Sequence, residues 1–217
     1  MDCVLSSHQL KSIDRFLENY YPSFLSSLME TAGLSIAKIL ADTYDQFQPV
    51  CVVSGHGHNG GDGFVVARHL FNWGYNVSVV LIDSHRTLKS LTKEQHRLLS
   101  DFTSISIEPT LPILSSEIIL IDALFGIGLS RPLSDNYRFI IDQMNSSESP
   151  IISIDIPSGL SADSYSEWPA IIASQTLSFT CLKPIFLEEK AQSHIGKLSI
   201  LDIGIPPSLI MNPPLYV

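Results

Sequence analysis

Apolar positions recur along this chain in two distinct rhythms. The first forty residues follow a helical one. Leu10, Ile13 and Leu17 fall on one face, with Ser7 placed to cap it, and Leu25, Leu28, Met29, Ala32, Ile36, Ile39 and Leu40 make a second, stronger stripe. Short continuous apolar runs then alternate with helical patterns. Val50–Val53, Val77–Ile82, Ile118–Ile121 and Ile151–Ile154 read as strands covered on both faces. Helices are expected through Phe64, Val65, Ala67 and Leu70, through Leu88, Leu91, Leu98 and Leu99, and over Tyr137–Met144. Late strands are expected at Thr176–Thr180 and Leu198–Leu201. This alternation predicts an α/β fold with a mostly parallel central sheet and helices on both faces. Ser146-Ser147-Glu148-Ser149-Pro150 reads as a loop rather than a boundary, so residues 1–217 are expected to form a single domain.

Composition narrows the partners. Hydrophobic residues make up 45% and charged residues 16%, the balance of a folded chain. A net charge of −9 argues against nucleic acid or an acidic membrane as partner, though not against an anion held by local backbone dipoles. Cys3, Cys51 and Cys181 are odd in number and widely spaced, the pattern of reduced thiols in a cytoplasmic protein. No run approaches the ~18 consecutive apolar residues of a membrane-spanning helix. Met1-Asp2-Cys3 lacks the basic start of a signal peptide, and Pro213-Pro214-Leu215 reads as a terminus or the start of a linker.

Chemistry gathers after the strands, where parallel sheets bind ligands. Ser54-Gly55-His56-Gly57-His58-Asn59-Gly60-Gly61-Asp62-Gly63 joins the first strand to a helix. Its Gly55-x-Gly57-x-x-Gly60 spacing is that of a dinucleotide fingerprint, with a pyrophosphate at the helix N-terminus. Asp83 lies at roughly the 20-residue interval of a ribose-binding acid, which supports an NAD(P)-dependent oxidoreductase. Asn59 and Asp62 oppose that reading, because a carboxylate beside a phosphate repels it unless a cation intervenes. Asp122 precedes a second glycine loop, Gly126-Ile127-Gly128-Leu129-Ser130-Arg131-Pro132, whose amides and arginine suit phosphate. Asp155 and Ser158 flank Pro157, which stiffens their turn as a positioned catalytic group requires. Asn59, Asp122 and Ser158 are hard oxygen donors, suited to an alkali or alkaline-earth ion and not to zinc. A transition-metal pair at His56 and His58 lacks a third ligand. Lys183-Pro184 follows a late strand; a solvated lysine in a turn is the preferred reading, an ammonium at the binding edge the alternative.

Six ordered motifs resemble one family, the NAD(P)H-hydrate epimerases, or YjeF N-terminal domain family. They are Leu28-Met29-Glu30-Thr31-Ala32-Gly33, His58-Asn59-Gly60-Gly61-Asp62-Gly63, Asp122-Ala123-Leu124-Phe125-Gly126-Ile127-Gly128-Leu129, Asp155-Ile156-Pro157-Ser158-Gly159, Lys183-Pro184 and Asp202-Ile203-Gly204-Ile205-Pro206. The resemblance implies a Rossmann-like three-layer αβα sandwich, commonly a homodimer. It implies an isomerase that interconverts the R and S forms of hydrated NADH and NADPH, NAD(P)HX, a damaged cofactor repaired together with an ADP- or ATP-dependent NAD(P)H-hydrate dehydratase. Substrate binding would fall on His58 through Asp62, on Gly126 through Pro132 and on Asp155, the acid/base. One potassium ion per subunit would fall on Asn59, Asp122 and Ser158. His58 and Thr31 stand where the family usually has asparagine, and Ile185 where it has glycine. A non-catalytic nucleotide-binding or scaffold module is the remaining alternative, which the intact acidic residues disfavour.

Overall fold

The computed structural model describes residues 3–214; Met1, Asp2 and Leu215 of the proline tail lie outside the described residues. Two helices open the chain, α1 (Ser7–Tyr20) and α2 (Pro22–Thr43). Then come β1 (Val50–Ser54), α3 (His58–Asn72), β2 (Val77–Leu81), α4 (Ser90–Phe102), β3 (Ile107–Glu108), β4 (Ile119–Ala123), α5 (Asp135–Asn145) and β5 (Ile151–Ile154). After β6 (Gln175–Phe179), 3-10 turns at Pro184–Leu187 and Glu189–Ala191 lead through α6 (Gln192–Ile195) to β7 (Lys197–Leu201) and α7 (Pro207–Met211).

The seven strands form one sheet in the order β3-β2-β1-β4-β5-β6-β7, and every neighbouring pair is parallel. The strand alternation sorts the two faces. Val50, Val52, Val79, Ile119 and Ile121 pack with Ile36 and Leu40 of α2, Phe64 and Leu70 of α3 and Leu99 of α4. Cys51, Val53, Val80 and Leu120 pack with Tyr137, Ile140, Ile141 and Met144 of α5 on the other face. The result is the expected three-layer α/β sandwich. The chain leaves β1 toward β2 and later returns to β4 on its other side. That reversal opens a crevice at the carboxyl ends of β1 and β4.

Several expectations shift. Ser6, not Ser7, caps α1: its hydroxyl accepts from Gln9 N while the Gln9 side chain answers Ser6 N, a capping box. Ser7 instead donates through its amide and hydroxyl to Asp163, at 2.7 and 2.6 Å. Asp122 lies inside β4 rather than after it, in register with Ser153 of β5. Leu88 precedes α4, and β3 is too short for its two residues to show a period. With a mean hydropathy of 1.3, α2 has the length and composition of a membrane-spanning helix. Its apolar stripe is nonetheless spent inside the fold, with Leu25 and Leu28 against α1 and Ile36, Ala37 and Leu40 in the sheet-facing core.

Candidate functional site

A cavity of about 750 Å³ opens at the crevice. Its floor is built by residues that the sheet register brings together. Asp122 is fully buried and accepts four hydrogen bonds, from Leu124 N, Ser153 Oγ, Ser158 N and Ser158 Oγ. Burial pushes its carboxyl above the ordinary range, and the bonds from Ser158 and Ser153 oppose that rise. Ser158 Oγ in turn accepts from Phe125 N at 2.9 Å. The loops after β4 and β5 are thereby clamped to each other.

Asn59 enters from the first turn of α3. It is buried, and among the described residues neither its amide oxygen nor its amide nitrogen has a hydrogen-bond partner. Two orphaned polar atoms on one buried side chain are costly unless a ligand completes them. A side chain at Gly126 would reach within 3.5 Å of Asn59 Oδ1 and 2.6 Å of Asp155 Oδ2, so the loop approaches both groups only because residue 126 has no Cβ. Gly60 plays a similar part beneath the floor, where a Cβ would overlap the carbonyl of Gly55 at 2.0 Å.

Asp155 follows β5 with φ of 68°, a left-handed conformation that a non-glycine residue adopts at a cost. Its carboxylate accepts from Ile127 N at 3.2 Å and pairs with Lys183 Nζ at 2.8 Å. The expectation of a solvated Lys183 is therefore overturned. Lys183 is 1% exposed, and its ammonium also donates to Ser178 Oγ at 2.6 Å and to Phe179 O at 2.9 Å. Ile185, fully buried among Ile156, Leu160 and Phe186, anchors the turn behind it.

Of the sequence-predicted residues, His58, Asn59, Asp62, Gly126, Ile127, Gly128, Leu129, Arg131 and Asp155 line the cavity. Asp122 and Ser158 form the floor below. Gly60 and Gly61 are buried under the helix start, and Ser130 and Pro132 are exposed outside the cavity wall. Burial, and next the Lys89 charge, lowers the pKa of His58, so its ring is neutral near pH 7. His56 is engaged structurally: Nε2 donates to Asp83 O at 2.9 Å and Nδ1 accepts from Tyr137 Oη at 3.4 Å. Among the described residues no cluster of three His, Cys, Asp or Glu is placed to hold a metal ion. Asp83 accepts from Asn136 Nδ2 at 2.6 Å and does not line the cavity, which removes the ribose-binding acid of the oxidoreductase reading.

Asp14 was missed by motif reasoning. It sits on α1 beside the Leu10–Ile13–Leu17 stripe, one turn on from Leu10, and no sequence signal separates such a residue from a solvated one. Yet it lines the cavity. Burial, then the charge of Asp155, raises Asp14 to about 6, with Glu18 adding and Lys89 and Lys183 opposing. A folded-state value above the unfolded one favours the native state at low pH. The penalty grows as pH rises from about 4 through 6 and is complete above it. Asp14→Asn is therefore expected to raise the thermal midpoint at pH 8, by up to about 3 kcal/mol of stability, with the gain fading toward pH 4. Scanning calorimetry at the two pH values tests this, and an equal shift at both would refute it.

A buried ion pair, orphaned amide atoms and glycine loops at a sheet reversal define a Rossmann-like α/β protein with a polar small-molecule site. The chain belongs to the family described as YjeF-related protein N-terminus, whose model matches residues 25–185. It is 29% identical to the NAD(P)H-hydrate epimerase of Limosilactobacillus fermentum, over 92% of this chain and 96% of that protein. It is 31% identical to the NAD(P)H-hydrate epimerase of Rhodobacter capsulatus, over 87% and 93%. The bifunctional NAD(P)H-hydrate repair enzyme Nnr of Thermofilum pendens is 34% identical over 96% of this chain, which spans 41% of that longer protein. Among solved structures, yeast ynu0, YNL200c, superposes with a TM-score of 0.75 at 28% identity, covering 92% of this chain and 87% of that one.

Proposed function

We propose that this protein interconverts the R and S epimers of hydrated NADH and NADPH. The observation that carries the reading is the buried Asp155–Lys183 pair set beside the unpartnered Asn59 amide, inside a cavity large enough for much of a dinucleotide. The names of the relatives supply the substrate. Glycine-loop amides at Gly126–Arg131 and the start of α3 would receive the pyrophosphate, helped by Arg131, Arg86 and Lys89 on the wall. Asp155 would move the proton while the ring stereocentre is lost and regained. A positioned group of this kind contributes ~10²–10⁴-fold in rate.

A potassium ion fits the donors present. The orphaned Asn59 amide oxygen, the Ser158 hydroxyl and the Asp122 carboxylate are hard oxygen ligands on one floor, with no soft donor among them. The ion would offset the negative charge gathered between carboxylates and substrate. The bifunctional relatives support a functional link to a dehydratase that consumes the corrected epimer. Three unpaired cysteines support a cytoplasmic setting, and the family resemblance supports a homodimer.

Incubating one purified epimer with the protein tests both parts. In potassium chloride the two epimers should converge to one equilibrium mixture by chromatography, and more slowly in choline chloride. Potassium should also raise the thermal midpoint. An epimer ratio that never changes removes the function; equal rates and midpoints in the two salts remove the cation.

A further inference from the structure

Four carboxylates line this cavity from three separate elements: Asp14 and Glu18 from α1, Asp62 from α3 and Asp155 from the turn after β5. Their charges meet in this space: Asp155 and Asp14 both act on Asp62, and Asp155 acts on Asp14. Lys183, the one buried ammonium among the described residues, is committed. Its contacts go to Asp155, Ser178 and Phe179. Asp62 is buried and, among the described residues, receives neither a cation nor a hydrogen bond. A buried carboxylate without a partner, beside a second carboxylate in a walled cavity, carries charge only at a cost.

We propose that Asp62, buried on the cavity wall without a partner among the described residues, is the proton donor that acts with Asp155 in the epimerisation, and that Asp14 on the same wall favours its protonated form. The inference rests on the epimerase reading above. In one direction, the bond from the ring carbon to the hydroxyl breaks and its electron pair leaves with the oxygen. That oxygen takes the Asp62 proton and departs as water. The lone pair of the ring nitrogen fills the vacancy as a carbon–nitrogen double bond. Water then adds from the opposite face and loses its proton to Asp155, and solvent exchange resets the two carboxyls. Nothing is oxidised or reduced.

The surroundings agree. Burial first, then Asp155 and Asp14, holds the Asp62 carboxyl well above the ordinary carboxylate range. Around Asp14 stand Glu18 on its own helix, Lys89 before α4 and Lys183 after β6, with the cations opposing the rise. His58, on the same wall, is kept neutral and supplies no compensating charge. Lys11, Arg15, Arg86 and Arg131 also line the cavity. This division gives α1, which precedes the family-matched residues 25–185, a chemical part in the site.

The test pairs infrared spectroscopy with kinetics on the full chain. At pH 7 the wild type should show the C=O stretch of a protonated carboxyl, absent in Asp62→Asn and titrating at lower pH in Asp14→Asn. Asp62→Asn should lower kcat by ~10²-fold with KM nearly unchanged. In Asp14→Asn the alkaline limb of the rate profile should move to lower pH, a shift that a purely structural role would not produce. Circular dichroism confirms the fold of each variant. Absence of the carboxyl band at pH 7, or variants with wild-type kcat and an unmoved limb, would overturn the proposal. A wild type that shows the band but no epimerisation would instead overturn the function.

Discussion

Asp155→Asn is expected to slow epimer interconversion by ~10²–10⁴-fold while leaving the fold intact. The choice of asparagine matters. Residue 155 sits at a φ of 68°, and asparagine tolerates that left-handed geometry better than most side chains. Its amide oxygen can still accept from Lys183 or from Ile127 N, so the loop after β4 keeps its anchor. What the substitution removes is the carboxylate. A loss in rate then reports proton transfer and not a collapsed turn. Alanine would confound the two, because it also strands a buried ammonium. Chromatographic turnover within about threefold of wild type would sink the role assigned to Asp155.

The second large effect is on stability. Lys183→Met keeps a long unbranched chain in the same channel but deletes the ammonium. Asp155 then remains a buried carboxylate without its cation, and Ser178 Oγ and Phe179 O lose a donor. Breaking such a pair from one side typically costs about 3–5 kcal/mol. For a chain of this size the thermal midpoint would fall by roughly 6–20 °C. The decisive comparison is the double variant. If the cost is a stranded charge, Asp155→Asn on top of Lys183→Met should recover part of the lost stability, with a coupling of about 1 kcal/mol or more. Simple additivity in denaturant titrations would show that Lys183 contributes by packing alone.

Much of this arrangement could be read before any fold was known, and the reason is local. Asn59, Asp122, Asp155 and Ser158 each sit at or just beyond the end of an apolar strand. Parallel topology alone sends all of those ends to one edge. The alternation of Val50–Ser54, Ile119–Ala123 and Ile151–Ile154 likewise announced a covered sheet. Lys183 resisted because nothing within a few residues shows its burial. Its acidic partner arrives from β5, and Ile185, which seats its turn, packs against residues 156 and 160. Asp14 resisted for a different reason. A polar residue bordering an apolar stripe looks the same in sequence whether it meets water or a cavity. The cap of α1 was legible after all, since Ser6 and Gln9 have capping-box spacing and Ser7 with Leu10 does not. The two-residue strand Ile107–Glu108 carries too little pattern to be seen.

Gly126 has no side chain to offer the substrate and no charge to contribute. Even alanine there would press into the carboxylate of Asp155 and crowd Asn59. A map of substitution tolerance across the chain would therefore mark position 126 as severely as the acid it borders. Such a map measures the room a catalytic group needs as well as the group itself, and in this crevice the emptiness beside Asp155 is as heritable a requirement as the carboxylate.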